Sequence, residues 1–402
     1  MASERTELKR SLSLPLITFY GLGTIIGAGI YVLIGEVAGR TGMFAPIAFL
    51  LAAVIAAFTA FSYAELSARH PRSAGEAVYV EEAFHRPWLS GLIGWAVVLI
   101  GIVSTATLAN GFIGYLKLFV VMPDWLVIST LVVALGLLAA WGISESVWTA
   151  TVITLLELFG LLIVLFVAGD SLGALPDRWL ELVPPLEAHT WLGIAVGAFL
   201  AFYAFIGFED MVNVAEEVKN PRRNLPLSII LALCISTGLY LLVAMTAVLA
   251  LPVDLLAQSD APLATIIEQR GHKSVGIGLI SLIAVVNGAL IQIIMASRVM
   301  YGMSRQHIAP RVFSLVNPRT RTPVRATAVL TVTVLVLALW LPLVTLAQAT
   351  SFITLIVFAL VNLALWRLKL QGPPPSGAPS YPLWVPVMGF ALCIGLIALQ
   401  LG

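Results

Sequence analysis

Runs of apolar residues decide which class of structure is open to this chain. About 18 or more consecutive apolar residues are enough to cross a bilayer as a helix, and such runs recur along the whole sequence. Of its 402 residues, 60% are hydrophobic and 11% are charged, whereas ordinary soluble domains carry about 25% charged residues. The expected fold is an all-α integral membrane protein. About eleven transmembrane helices can be drawn, at 13–40, 43–69, 88–120, 124–142, 147–169, 190–216, 226–251, 275–304, 324–342, 345–368 and 381–401. Gly75 to Phe84, ahead of the third, has the length of a short interfacial helix.

Positive charge orients these segments, because cytoplasmic loops carry the excess of Lys and Arg. With the N-terminus inside, sixteen fall on the cytoplasmic side, including Arg10, Arg72, Arg222, Arg319 and Lys369. Five fall outside (Arg40, Lys117, Arg178, Arg270 and Lys273), and Arg298 lies within a span. The expected location is the cell (cytoplasmic) membrane, multi-pass, with a cytoplasmic N-terminus. The polar start MASERTELKRSLSLP is followed by no short apolar core with a cleavage site, so no removable signal peptide is expected. An odd number of spans puts the last residue outside. The final apolar run reaches Gly402 without a polar tail, which fits a truncated chain or one lacking a last helix. A net charge of +1 and the lack of a basic run give no sign of nucleic acid as a partner. Cys234 and Cys393 lie in apolar segments and read as small apolar fillers.

Two segments depart from the pattern of an ordinary membrane helix. In TFYGLGTIIGAGIYVLI, Thr18 to Ile34, four glycines (Gly21, Gly23, Gly27 and Gly29) cluster mid-span. Each costs about 1 kcal/mol relative to alanine in a helix interior. Far downstream, Gly207 interrupts AFYAFIGFED and two carboxylates follow directly. Unwound backbone at membrane depth is tolerated only where it is buried in protein or lines a wet cavity. Glycines of this kind also serve close helix packing, and Gly23-x-x-x-Gly27 fits that pattern. Two interrupted segments at matched positions instead point to a central binding site. These are the first and sixth segments. An odd repeat length inverts the second copy, so 13–169 and 190–368 form a 5+5 inverted repeat, with 381–402 as a peripheral eleventh helix.

Further motifs carry a resemblance. They are Tyr63-Ala64-Glu65-Leu66 followed by PRSAGEAVYVEEAF, Gly142-Ile143-Ser144-Glu145-Ser146, FIGFEDMVNVAEEVKNPRRNLP, and Ala296 to Met303 with Pro310. With GLGTIIGAGIYVL, they identify the chain as resembling the amino acid–polyamine–organocation transporters over nearly all its length. The resemblance implies a secondary active amino acid transporter working by alternating access, with an amino acid substrate and a co-transported or exchanged ion or amino acid as partners, in a lipid bilayer. It implies that the substrate carboxylate meets the amides of Gly27, Ala28 and Gly29. Helix N-termini do offer unpaired N–H groups and a positive dipole end to anions. The ammonium would be held by the carbonyls of Ile25, Tyr203 and Ile206, with Tyr203, Phe202 and Phe205 shaping the pocket and Ala28 and Ala204 leaving room beside the breaks. Asn287 and Gln292 belong to a surrounding helix and are candidate substrate ligands, as are Asn110, Gln348 and Ser351. Each of these polar groups could equally bond only its neighbouring helices.

Ionisable residues within spans are functional candidates. Glu157, midway along the fifth segment, stands where many relatives carry a lysine that is thought to replace a sodium ion. The reversed charge puts that coupling scheme in doubt for this chain. Three roles are open to Glu157: binding and releasing a proton, pairing with a bound cation, or staying protonated against the helix 1 backbone. Glu209 is a candidate for gating or proton sensing, or a carboxylate that reaches cytoplasmic water. Asp210, Glu216 and Glu217 are expected to be solvated or paired with Arg. Glu65 can pair with Arg69, four residues on, and Arg298 is expected to anchor its helix to neighbouring groups.

Other functional classes lack their signatures. None of the five histidines falls inside a span and no His/Cys metal spacing occurs, so neither an enzyme nor a metal site is expected. No cofactor is implied. No phosphate-binding loop of a pump and no repeated filter motif of a channel is present. Proton coupling or exchange is the leading expectation. Sodium coupling, or transport of a polyamine or organic cation by the same fold, is the alternative.

Overall fold

The computed structural model describes residues 10–27, 29–72, 75–141, 147–305 and 307–401. Ala28 and the loop Gly142 to Ser146 therefore lie outside the described residues. In chain order the α-helices are α1 (Leu14–Ile26), α2 (Gly29–Thr41), α3 (Ala45–Arg69), α4 (Gly75–Phe84), α5 (Pro87–Leu116), α6 (Asp124–Trp141), α7 (Val147–Ala168) and α8 (Leu175–Arg178). They continue with α9 (Ala188–Ala201), α10 (Pro221–Ala250), α11 (Val253–Ala257), α12 (Pro262–Gln269), α13 (Val275–Arg305), α14 (Val324–Trp340), α15 (Leu343–Gln371) and α16 (Trp384–Leu401). The described residues contain no β-strand; Leu12 and Val218 form an isolated parallel bridge.

Nine helical stretches among the described residues are long and apolar enough to cross a membrane. One of them, Leu14–Arg69, comprises α1, α2 and α3, which the sequence divides at residues 40–43. Val324–Trp340 is a shorter apolar helix. Large apolar side chains cover the outside of the bundle: Phe166 is 90% exposed, Trp340 82% and Trp141 78%. Such exposure would be a liability in water, and it is what a lipid-facing surface requires. The chain is a multi-pass helical membrane protein. The short helix expected at Gly75 to Phe84 is present as α4. The seventh span starts earlier than the sequence suggests, at Pro221, because Pro226 is accommodated inside the helix near its N-terminal end.

Polar contacts join the packed helices. Asn362 on α15 donates to Thr59 Oγ1 at 2.9 Å and accepts from Ser62 Oγ at 2.6 Å, tying α15 to α3. At the end of α3, buried Glu65 accepts from Arg69 (2.7 Å), Lys369 Nζ (2.7 Å) and the Tyr381 amide (2.9 Å). The expected Glu65–Arg69 pair is thus part of a larger node that also reaches the end of α15. Arg298 differs from expectation and is exposed; it lies only two turns from the end of α13, within reach of the surface. Cys234 and Cys393 are free cysteines.

Candidate functional site

Both breaks lie where the glycines predict them. Helix α1 ends at Ile26, Gly27 donates its amide back to Gly23 O at 3.2 Å, and α2 starts at Gly29. The second break is longer. After α9, a 3-10 turn (Phe202–Phe205) leads into extended Ile206 and then Gly207 at φ 132°. A further 3-10 stretch, Phe208–Glu217, follows.

The two breaks touch. A Cβ on Gly207 would sit 2.3 Å from Thr24 O and 2.9 Å from Ile25 N, both backbone atoms. A Cβ on Gly29 would sit 2.6 Å from Ala204 Cα. Not all the glycines of the first segment are there for the break. Gly21 receives Met211 and Gly23 receives Thr154, so these two make the close packing that the sequence held open as an alternative. The half-helices also meet at their far ends: Leu12 accepts from the Lys219 amide at 2.8 Å and donates to Glu217 O at 3.0 Å.

One pocket lies at the meeting point. Thr24, Ile25, Gly27, Gly29, Ser104, Leu108, Tyr203, Ile206, Gly288 and Gln292 line it. Six residues expected at the site are thereby gathered: Ile25, Gly27, Gly29, Tyr203, Ile206 and Gln292. Phe202 packs on Phe358 (ring centroids 5.8 Å), and Ala204 lies beneath Gly29; neither is among the lining residues. Asn287 is placed elsewhere, donating to Glu157 Oε1 at 3.3 Å. Asn110 joins α5 to α14 through Ala338 O at 3.0 Å. Tyr203 is held by Ser104, hydroxyl to hydroxyl at 2.9 Å. Ser104 was not singled out in the sequence; the small polar run Ser104-Thr105-Ala106-Thr107 within α5 was the available signal.

A second cavity shares Gln292 with the first, and Glu76, Glu209 and Asp210 line it together with Val97 and Phe358. Glu209 is buried; its Oε2 accepts from the Gly207 amide at 2.8 Å, so the carboxylate caps the break instead of reaching water. The expectation for Asp210 is corrected: it is 5% exposed and accepts from Gln292 Nε2 at 3.4 Å, with no arginine paired to it among the described residues. The 3-10 winding after Gly207 turns it inward. Glu76, on the short α4 outside the spans, accepts from Tyr63 Oη at 3.2 Å. Burial pushes its carboxyl up to about 7, against partial relief from its own backbone amide and the Tyr63 hydroxyl. Glu157 is fully buried on α7; beside Asn287, its backbone carbonyl accepts from Tyr31 Oη at 2.5 Å. Among the described residues, no group of His, Cys, Asp and Glu is arranged to hold a metal ion.

A multi-pass helical membrane protein with two broken helices in backbone contact around a central pocket is the class that fold and site define. Comparison narrows it: the amino acid permease family model matches residues 12–401, and the chain belongs to that family. Relatives include cationic amino acid transporter 3, mitochondrial, of Arabidopsis thaliana, 30% identical over 92% of this chain and 64% of its own length. Human cationic amino acid transporter 4 is 31% identical over 93% of this chain and 62% of its own. The branched-chain amino acid permease BcaP of Bacillus subtilis is 30% identical over 100% of this chain and 90% of its own. The chain thus spans under two thirds of the length of the cationic amino acid transporters it matches. These relatives carry the names of transporters and permeases, not of enzymes.

Proposed function

We propose that this chain is a secondary active transporter of amino acids across the cytoplasmic membrane, working by alternating access and driven by protons or by exchange. The observation that carries the reading is the backbone contact between the two breaks, whose residues Thr24, Ile25, Gly27, Gly29, Tyr203 and Ile206 line one pocket. Such backbone at mid-membrane depth is tolerated where it lines a cavity, and paired discontinuous helices are the site architecture of secondary transporters. The substrate carboxylate would take the amides where α2 begins, at Gly29, and reach the Gly27 amide only where it leaves Gly23 O, to which it donates at 3.2 Å. The ammonium would take carbonyls of Ile25, Tyr203 and Ile206. This frame uses about eleven crossings in a 5+5 inverted repeat, 13–169 and 190–368, with a cytoplasmic N-terminus.

Among the described residues the pocket lining holds no Asp, Glu, Lys, Arg or His, which favours a neutral amino acid. Leu108, Ser104, Thr24 and Gln292 are among the residues whose side chains could meet that of the substrate. A cationic substrate is the second reading. It is favoured by the three carboxylates on the far side of Gln292 and by the names of the cationic amino acid transporters. For coupling, Glu157 and Glu209 are the carboxylates we assign, each buried and close to a break or its supporting helices. Glu76 and Asp210 join Glu209 around the second cavity.

The test is uptake by the purified chain in proteoliposomes of labelled alanine, leucine and arginine. It is run with an inward proton gradient, with a sodium gradient, and with an amino acid loaded inside. Alanine or leucine uptake under a proton gradient or by exchange, unaffected by replacing sodium with choline, is the expected result. Sodium-dependent uptake would overturn the coupling, arginine-only uptake the neutral substrate, and no uptake of any amino acid the reading as a whole.

A further inference from the structure

Tyr240, on α10, touches both breaks without lining the pocket between them. Its ring is wholly buried. It stands edge-on to Phe49 of α3 (centroids 6.1 Å) and to Phe205 (5.1 Å), so its direction is fixed by packing on two sides. Its hydroxyl lies 2.8 Å from Ile25 O and 3.0 Å from Ala204 O. One carbonyl belongs to the end of α1 and the other to the 3-10 turn of the second break. Both lie where regular helical hydrogen bonding runs out, which is where carbonyls need outside donors.

A phenol has one proton to give, so the two carbonyls share it. Removing that donor would leave at least one buried acceptor unmet, and this costs more than the bond itself contributes. The same two segments are in contact through Gly29 and Ala204. The hydroxyl therefore acts at the seam, where a small shift changes the spacing of every freed group on both helices. Ile25 O keeps a second lone pair, so the Tyr240 bond aims this carbonyl toward the pocket without using it up.

We propose that Tyr240 is a positioning residue of the transport site: its hydroxyl clasps one carbonyl from each broken helix and holds the two breaks in register for the substrate ammonium. This rests on the transporter reading above. The clasp itself is a statement about the two backbone segments and can be tested without substrate.

The experiment compares wild type, Tyr240→Phe and Tyr115→Phe in lipid nanodiscs. Phe at 240 keeps the ring packing and removes only the hydroxyl. Tyr115 is an equally buried tyrosine, donating to Tyr31 O at 2.6 Å, away from the breaks. Amide hydrogen exchange is followed in peptides covering 14–27 and 199–210, which leave out the Tyr31 carbonyl that Tyr115 serves, with binding of alanine, leucine and arginine measured in parallel. In Tyr240→Phe, exchange in both peptides should rise by about tenfold, and the Kd of the bound amino acid should rise by a similar factor. Tyr115→Phe should change neither. Exchange that stays at the wild-type rate in either peptide, or rises equally in Tyr115→Phe, overturns the proposal. If wild type binds none of the three amino acids, the transporter reading fails and exchange alone decides the clasp. If Tyr240→Phe cannot be purified, Phe49→Leu, which loosens the ring but spares the hydroxyl, should still raise exchange at both breaks; an unchanged pattern there overturns the proposal too.

Discussion

Gly207→Ala is the most direct probe of the contact between the breaks. The added methyl would sit 2.3 Å from Thr24 O and 2.5 Å from Thr24 C, more than 1 Å inside ordinary van der Waals contact. These are backbone atoms, so no side chain can swing aside. The residue also holds φ at 132°, a conformation L side chains rarely adopt. The backbone strain is worth about 1–3 kcal/mol and the overpacking about 1–3 kcal/mol. The variant relieves both by letting the segments part, and substrate must then pull them together against that strain. Apparent affinity falls by the population of the competent arrangement. Taking about 2 kcal/mol as the lower bound, binding should weaken by roughly 30-fold or more. The assay is amino acid binding by the purified variant, with proteoliposome uptake beside it. Gly238→Ala is the control, a position on α10 where an added methyl meets nothing within 4 Å; it should stay within about twofold of wild type. Wild-type binding by Gly207→Ala would show that the breaks are not in contact in the working protein.

Three further outcomes can be checked. Glu157→Gln keeps an acceptor for the Asn287 amide, 3.3 Å away, so it should abolish pH-dependent uptake while exchange of internal for external amino acid stays within about threefold; unchanged pH dependence would remove Glu157 from coupling. Glu76 binds its proton more tightly in the folded state, about 7 against 4.5. Its contribution to stability is therefore full below about pH 4.5 and lost as pH rises through about 7, by on the order of 3 kcal/mol; melting curves of Glu76→Gln should lack this decline. Lys369→Ala removes one of two cations on buried Glu65, leaving Arg69 and the Tyr381 amide, and should cost about 1.5–3 kcal/mol, seen as a lower melting temperature; a melting temperature equal to wild type would show that Arg69 alone satisfies Glu65.

How much of this was legible in the sequence depends on the kind of residue involved. The breaks were readable because glycine at membrane depth is costly, and Gly27 and Gly207 mark them within a residue. The spans were readable from apolar length, and α4 from the length of the stretch Gly75 to Phe84 ahead of the third span. What sequence could not supply is the angular position of a side chain in irregular backbone. Asp210 follows Glu209 directly and looked like part of the acidic approach to water. The 3-10 winding after Gly207 carries both carboxylates inward. Asn287 and Gln292 share a helix and looked equivalent, yet their spacing of five residues sends one to Glu157 and the other to the pocket. Tyr240 gave no signal, since a tyrosine in a long apolar run reads as packing until its hydroxyl is seen between two carbonyls.

The link from Leu12 to Glu217 and Lys219 has a consequence for how opening can be watched. It fastens the outer ends of α1 and the Phe208–Glu217 segment, while Gly207 and Thr24 fasten their inner ends. Two rods joined at both tips move as one lever. Spin labels or fluorophores placed one on each would report a constant distance through the whole cycle, and a silent recording would be mistaken for a static protein. The informative pair has one label on this lever and the other on α5 or α13, across Gln292.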